Sequence, residues 1–295
     1  PVARTGTPAV TAPSPTISRE QAASARRVLI VNVTRIGDTV LATPAVRAIA
    51  RHFPNARLTY LGHPNRVEVV AHLPYLAKVG GVTKNRVAYR GWKDALLGAE
   101  YDWAFVWGRD AALVRYALRK SKHVVAEQQR DAALNSRLFA AVETPPQNSL
   151  HAVAWYLSLP AAVGIAADGY RLDLAILQAE SDWAQRRLRQ DWPTLSTPLI
   201  GMQVASFATK SYRDWPIAQF TELAARIVER WPAAGFVLFG SADDQARIAQ
   251  LQASLPGKTV SYAGQLSLRQ TMAMMSCTDA YVGVDTGPTH LYSAQ

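Results

Sequence analysis

A repeated alternation of short apolar strands and amphipathic helices is the feature that most constrains the fold. Val28–Val33 is a nearly continuous run of apolar, mostly β-branched residues, which is typical of a parallel strand buried on both faces. The pattern predicts a helix over Thr39–His52 after this strand. It also predicts strands at Arg57–Leu61 and Asp102–Trp107, with helices near Asp110–Arg119 and Ser149–Leu159.

The second half of the chain repeats the alternation. Strands are predicted at Pro198–Gln203, Phe236–Phe239 and Ala280–Val284, and helices at Pro216–Trp231 and Leu268–Ser276. Ser241 is predicted to cap a further helix, with Asp243 and Asp244 in its first turn. Alternation of this kind predicts an α/β fold with a mainly parallel sheet in each half.

The length of 295 residues suits two doubly wound domains better than one. Residues 1–25 are rich in Pro, Ala, Ser and Thr and are predicted to form a flexible leader, with a short helix beginning near Ser18. The junction between the domains is placed near Asp173–Glu180. The predicted domains are therefore residues 26–175 and residues 176–295.

Composition and missing motifs narrow the class of protein. Cys277 is the single cysteine, which fits a reducing, cytoplasmic compartment. No apolar run approaches the roughly 20 residues that span a bilayer. The first strand is not followed by G-x-G-x-x-G, and the chain has neither a P-loop nor a G-x-S-x-G elbow, which disfavours nicotinamide enzymes, P-loop nucleotidases and α/β-hydrolases.

The positive charge is concentrated in the first predicted domain. Residues 26–175 carry 20 Lys and Arg against 11 Asp and Glu, whereas residues 176–295 carry 10 of each class. A basic half suits a polyanion or an anionic membrane surface. An ordinary solvated basic surface explains the charge equally well, so charge alone leaves both interpretations open.

Ligands of open α/β sheets bind beyond the carboxyl ends of the strands, so the loops there are informative. The first is Thr34–Thr39, in which Gly37 permits a tight turn and Asp38 stands at the start of a helix. Asp38 can cap that helix. It can also accept a proton from an acceptor hydroxyl at the floor of a cleft between domains.

The second loop, Val204–Pro216, combines hydroxyls and cations between a strand and a helix. Such a set, with backbone amides, can hold a phosphate group, although an ordinary polar loop has the same composition. The candidate phosphate-binding residues are Ser206, Thr209, Lys210 and Arg213, with Ser211 beside them.

The third loop, Gly283–Leu291, joins the last predicted strand to a helix. Its Asp285-Thr286-Gly287 turn can present backbone amides to the cleft, or it can simply cap the helix. His290 has no second His or Cys at ligand spacing, so no metal site is predicted.

Taken in order, the three loops resemble one family. Val28–Val46 is similar to the opening of glycosyltransferase family 9, the ADP-heptose:lipopolysaccharide heptosyltransferases, in its strand, Arg, Gly-Asp pair and Thr-Pro-Ala helix. Val284–Leu291 resembles the family's donor-site turn. Ala205–Lys210 with Trp215-Pro216 resembles its Lys-x-Trp-Pro loop. The resemblance extends over Arg27–Gln295.

The resemblance implies a GT-B fold and sugar transfer from a nucleotide sugar, with ADP-heptose as the expected donor, with inversion and without a metal or other cofactor. It implies that Asp38 is the base, that Lys210 or Arg213 is the cation on the donor diphosphate, and that Asp285, Thr286, Gly287 and His290 belong to the donor-site turn. The implied acceptor is a lipopolysaccharide core or related glycan, reached in the cytoplasm or at the inner face of the cytoplasmic membrane. No nucleic-acid partner is implied. Candidate acceptor-binding residues are Arg35, Arg66, Arg90 and Arg109.

Three departures from the family pattern keep alternatives open. The family cation lies two residues before Trp-Pro, where this chain has Arg213, while the Thr-Lys of the motif falls at Thr209-Lys210. The strand Asp102–Trp107 carries two Trp where aliphatic and acidic residues are usual. The family pattern continues beyond residue 295, so the C-terminal domain is expected to be incomplete. The alternatives are an inactive sugar-nucleotide-binding homologue and a GT-B-like nucleotide-sugar epimerase.

Overall fold

The first domain is built on a six-stranded sheet in which every neighbouring pair is parallel. The computed structural model describes residues 15–83, 101–146, 149–194, 197–205, 212 and 214–295. The strands of the first sheet are β1 Arg27–Asn32, β2 Arg57–Gly62, β3 Lys78–Gly81, β4 Tyr101–Val106, β5 Ser121–Glu127 and β6 Ala140–Val142. Their order across the sheet is β3-β2-β1-β4-β5-β6.

Helices cover both faces of this sheet. They are α1 Arg19–Ser24, α2 Ile36–Leu41, α3 Thr43–His52, α4 Ala111–Lys120, α5 Ala132–Asn135 and α6 Ala152–Ala161, with a 3-10 helix at Val67–Val70. Alternate residues of β1 supply the two cores. Val28 and Ile30 pack in the core that contains α3 and α6, and Leu29 and Val31 pack in the core that contains α4.

The second domain repeats the architecture with four parallel strands. They are β7 Leu199–Gln203, β8 Gly235–Phe239, β9 Lys258–Ser261 and β10 Ala280–Gly283, in the order β10-β7-β8-β9. The helices are α7 Gln178–Asp191, α8 Ile217–Arg230, α9 Gln245–Ser254, α10 Leu268–Met275 and α11 Gly287–Ser293, with a 3-10 helix at Ala242–Asp244. The α/β class predicted from the sequence is therefore confirmed.

The helix predicted over Thr39–His52 is wrong at its start, because it begins earlier and is two helices. Pro44 has no backbone N–H, so it cannot bond to the Val40 carbonyl four residues before it. The Thr43 hydroxyl donates to that carbonyl instead, at 2.7 Å. Ala42 separates the two helices, as the C-cap of α2 and the N-cap of α3.

The described part of the first domain begins before the predicted domain boundary at residue 26. Ser18 caps α1 by accepting from the Gln21 amide, as the sequence predicts for a short helix there. Ile17, Ala22 and Ala25 are buried in the core of the first domain. Residues 17–25 are therefore packed against the domain, whereas residues 1–14 lie outside the described residues.

The segment that links the two domains is bound to α3 by ion pairs and a hydrogen bond. Arg47 is nearly buried and its guanidinium pairs with Asp168 (3.1 Å) and with Asp173. The Thr43 hydroxyl also accepts a hydrogen bond from the Asp173 amide at 2.9 Å. On the other domain, Arg269 pairs with Glu180 at the start of α7. These contacts fix the path of the crossover near the predicted junction.

Each sheet has a topological switch point, where the chain runs outward in opposite directions from two neighbouring strands. The loops that follow these two strands lie at the carboxyl ends of the strands. In the first sheet this point lies between β1 and β4, and in the second between β7 and β10. Ligands of doubly wound sheets bind at such points. Within the described ranges, no helix is long and apolar enough to cross a membrane.

Candidate active site between the two domains

The loops after β1 and β10 meet across the domain interface. A Cβ atom placed on Gly37 would lie 2.5 Å from Cδ2 of His290, and one placed on Gly287 would lie 2.9 Å from Cβ of Ile36. The first turns of α2 and α11 therefore touch through two glycines that have no side chain to separate them. This contact brings the predicted donor-site turn against the loop that carries Asp38.

Asp38 lies in the first turn of α2 and is partly exposed. The helix begins at Ile36, and Arg35 occupies the N-cap position, so the interpretation of Asp38 as the N-cap residue is wrong. The Asp38 carboxylate instead accepts a hydrogen bond from the Thr34 hydroxyl at 3.2 Å. An exposed carboxylate held in this way has a free oxygen with which to accept a proton from a bound hydroxyl.

Tyr156 lies on α6, which packs against α2. It is only 5% exposed, and its backbone carbonyl accepts a hydrogen bond from the Trp107 indole at 3.1 Å. Burial raises the pKa of Tyr156, the charge of Asp38 raises it further, and the Thr34 hydroxyl lowers it. The phenol is therefore protonated at neutral pH, and in that form it can both donate and accept a hydrogen bond.

The predicted donor-site turn is stabilised by contacts between its own residues. The Thr289 hydroxyl donates to the Val284 carbonyl at 2.6 Å, which fixes the first turn of α11 onto the end of β10. Thr286 occupies the N-cap position. His290 Nε2 lies 3.6 Å from an Asp285 carboxylate oxygen, and this pair is ionic when the imidazole is protonated. Asp285, Thr286, Gly287 and His290 are thus gathered on one side of the interface.

Two of the predicted acceptor cations lie beside the Asp38 loop. Arg66 Nη1 donates to the Thr34 carbonyl at 3.1 Å, and Arg35 is exposed at the start of α2. Arg109 is exposed on the loop after β4 and donates to the Thr144 hydroxyl at 3.1 Å. The structure therefore brings Arg35 and Arg66 together with Asp38 and places Arg109 on a neighbouring strand end.

The phosphate-binding candidates Ser206, Thr209, Lys210 and Arg213 lie outside the described residues, as does the acceptor candidate Arg90. Both ends of the loop that carries the four phosphate-binding candidates are described, and Arg247 of α9 connects these two ends. Its guanidinium donates to the Val204 carbonyl at 3.2 Å and to the Trp215 carbonyl at 3.0 Å. The sequence reasoning missed Arg247, because no motif marks a helix residue that reaches a distant loop.

A buried acidic residue at the end of β5 was also missed. Glu127 is 3% exposed and accepts from the Gly108 amide at 2.7 Å. Gly108 has a φ of +92°, a conformation that favours glycine. Gln129 holds the same turn, because its side-chain amide donates to the Glu127 carbonyl at 2.7 Å. Burial raises the pKa of Glu127, opposed by the Gly108 amide and by Arg109.

No group of three or more His, Cys, Asp or Glu side chains with metal-binding geometry occurs in the part of the chain that the structure describes. The charged groups gathered at the interface are instead one carboxylate on the first domain, one acid–imidazole pair on the second and several guanidinium groups around them. This arrangement suits a polar reaction between an anionic substrate and a hydroxyl group.

Comparisons with known proteins agree with this geometry. Residues 93–295 match the profile of glycosyltransferase family 9 (heptosyltransferase). Lipopolysaccharide heptosyltransferase 1 of Pseudomonas aeruginosa is 29% identical over 296 residues, an alignment that covers 91% of this chain and 76% of that protein.

Solved structures show the same architecture. A family 9 glycosyl transferase from Veillonella parvula superposes with a TM-score of 0.80 at 17% identity and covers 92% of this chain and 79% of its own. The ADP-heptose lipopolysaccharide heptosyltransferase II of Escherichia coli superposes with a TM-score of 0.74 at 18% identity. The superposition covers 91% of this chain and 82% of that protein's chain. The predicted GT-B fold is confirmed.

Proposed function

The chain belongs to glycosyltransferase family 9 and is a glycosyltransferase, and from this premise we propose that it transfers a heptose from ADP-heptose to a lipopolysaccharide-core acceptor, with inversion and without a metal ion. The names of its relatives support the substrates. One is a lipopolysaccharide heptosyltransferase, and another is an ADP-heptose lipopolysaccharide heptosyltransferase.

The proposed reaction is a single displacement at the anomeric carbon of the donor sugar. The acceptor hydroxyl oxygen forms the new bond to that carbon as the bond to the ADP oxygen breaks, and the proton of the hydroxyl passes to Asp38. ADP leaves with the bonding electron pair. Attack from the face opposite the leaving group inverts the configuration of the sugar.

The observation that carries the proposal is the contact between Gly37 and His290. This contact supports the proposal, because Asp38 directly follows Gly37 and His290 lies in the proposed donor-site turn. A hydroxyl bound on the first domain and a sugar bound on the second then meet at Asp38. Such positioning contributes a large part of the rate enhancement of two-substrate reactions.

The leaving diphosphate needs positive charge in the absence of a metal. We assign this role to Lys210 or Arg213, with Ser206 and Thr209 as hydroxyl partners, and to backbone amides of the proposed donor-site turn, which contains Asp285, Thr286, Gly287 and His290. Preorganised cations and amides stabilise charge that develops on a leaving group. Arg247 supports the assignment, because it holds both ends of the loop that carries the proposed cations.

The acceptor is assigned to the first domain, where the excess of basic residues lies. Arg35, Arg66, Arg90 and Arg109 are its proposed contacts, and phosphates of a lipopolysaccharide core are the anions they suit. The reaction is proposed to occur in the cytoplasm, at the inner face of the cytoplasmic membrane. Peripheral attachment there requires a few basic residues, at about 1 kcal/mol each.

The test is a turnover assay with purified protein, ADP-heptose and a lipopolysaccharide-core acceptor, in the presence of excess EDTA. We expect release of ADP together with a glycosylated acceptor whose new linkage has the inverted anomeric configuration by NMR. UDP-glucose serves as the control donor. Donor binding without turnover would favour the inactive homologue, and conversion of the donor sugar in the absence of acceptor would favour an epimerase. Loss of turnover that Mg²⁺ alone restores would contradict the metal-free mechanism.

A further inference from the structure

The orientation of the Asp38 carboxylate depends on a neighbouring residue of the same loop, Thr34. One carboxylate oxygen accepts from the Thr34 hydroxyl, four residues earlier in the chain. This bond leaves the other oxygen for a ligand in the cleft. A hydrogen bond to an ionised acceptor is about twice as strong as one between neutral groups, so this contact selects one carboxylate orientation.

The backbone of Thr34 is fixed as well, because Arg66 donates to the Thr34 carbonyl. The hydroxyl that bonds to Asp38 is therefore held in place through its own backbone.

We propose that Thr34 is a positioning residue for the Asp38 carboxylate, through the direct hydrogen bond from its hydroxyl. This inference rests on the proposed function, in which Asp38 accepts the proton of the acceptor hydroxyl. A carboxylate that rotates freely presents an oxygen to the hydroxyl for only part of the time, and its hydrogen-bonded form presents one continuously. Thr34 therefore acts on turnover and leaves donor binding unchanged.

The test uses isosteric removal of the Thr34 hydroxyl. Thr34→Val is expected to lower kcat about tenfold, since a hydrogen bond to a charged group is lost. Thr34→Ser keeps the hydroxyl and is expected to restore most of kcat. The donor KM and the thermal unfolding midpoint are expected to stay near those of the unmodified protein.

The matched control makes the same substitution elsewhere. Thr221→Val removes a hydroxyl that bonds within α8 and to Ser254. This control is expected to keep the unmodified kcat, so a loss specific to position 34 reports on Asp38.

A double-variant cycle separates this inference from the proposed function. If Thr34 acts through Asp38, then Thr34→Val combined with Asp38→Asn loses no more kcat than Asp38→Asn alone. Full activity of Asp38→Asn would overturn the role of Asp38 as base. A large loss in Asp38→Asn, together with an unaffected or fully additive Thr34→Val, would overturn the positioning role and leave the base in place.

Discussion

The imidazole of His290 occupies the space that a side chain on Gly37 would fill: a Cβ atom at Gly37 would lie 2.5 Å from His290 Cδ2. Real Cβ atoms do not approach carbon atoms so closely, so the two domains reach this contact only because residue 37 is glycine. Val40 and Leu291, each fully buried, continue the interface behind it. The contact between the two domains therefore also brings the Asp38 loop against the turn that holds His290.

Gly37→Ala is expected to impair turnover without impairing folding. Alanine is favoured over glycine inside a helix by about 1 kcal/mol, so α2 itself does not lose stability. The added methyl group pushes the His290 ring away and loosens the domain contact, which we expect to lower kcat/KM for the donor about tenfold. Steady-state kinetics and thermal unfolding of the variant check both statements.

A second substitution tests whether the loss arises at this contact. His290→Ala removes the ring that the methyl group would meet. In that background, Gly37→Ala is expected to cause little further loss, although His290→Ala alone lowers activity. Independent, additive losses from the two substitutions would show that Gly37 matters for another reason.

Asp38→Asn keeps the size of the side chain and its capacity to accept from Thr34, and it removes the capacity to take a proton. We expect kcat to fall by roughly 10²–10⁴, the range of general-base catalysis, while donor affinity measured by calorimetry is retained. Asp243→Asn, at an exposed position of the 3-10 helix, is the control and is expected to have no effect. A variant that binds donor and turns over normally would exclude Asp38 as the base.

Glu127→Gln is expected to change how stability depends on pH. In the folded protein, burial raises the pKa of Glu127 above its ordinary value of 4.5. Such a group contributes stability that is fully present below about pH 4.5 and is lost as the pH rises through the raised pKa. Glutamine does not titrate but can still accept from the Gly108 amide.

The unmodified protein should therefore lose stability relative to Glu127→Gln between pH 4.5 and neutral pH. Urea unfolding at several pH values measures this difference directly. Glu222→Gln, at a surface ion pair of α8, provides the comparison and is expected to give a nearly constant difference. A constant difference for Glu127→Gln as well would mean that its carboxyl titrates alike in the folded and unfolded chains.

The architecture was predictable because its strands are apolar and their loops carry recognisable turns. β1, β4, β7 and β8 were predicted to within one residue at each end, since each is a run of buried apolar side chains. Edge strands such as β3 and β9 were not predicted. β9 contains Lys258 and Ser261 and is only partly buried, so its composition resembles that of a loop.

The motif loops were predictable for the same reason, but the groups that support them were not. Asp38 and the predicted donor-site turn follow the carboxyl ends of strands. Ligands of such sheets bind there, so position alone marks these residues as candidates. Tyr156, Glu127 and Arg247 make contacts with residues far away in the sequence, from 19 residues for Glu127 and Gly108 to 49 for Tyr156 and Trp107. Such contacts exist only once the chain has folded, and a local pattern does not encode them.

The charge asymmetry between the domains predicts different salt dependence for the two substrates. The excess of basic residues in the first domain is proposed to attract an anionic acceptor, whereas the donor needs only the local cations of the second. Attraction between exposed charges is screened beyond about 8 Å at physiological ionic strength. We therefore expect acceptor KM to rise steeply between low and high salt, and donor KM to rise much less.

Arg66 is the residue at which the predicted salt dependence of acceptor KM can be tested. Its guanidinium lies beside the Asp38 loop, held by the Thr34 carbonyl, so an acceptor phosphate near the reacting hydroxyl would reach it. Arg66→Ala is expected to raise acceptor KM about tenfold at low salt and to flatten its salt dependence, with donor KM nearly unchanged. Arg226→Ala, which removes an exposed cation paired with Glu222 on α8, is the matched control and should leave both constants unaltered. Equal salt sensitivity of donor and acceptor, or efficient glycosylation of an uncharged acceptor, would rule out an electrostatic role for the basic half.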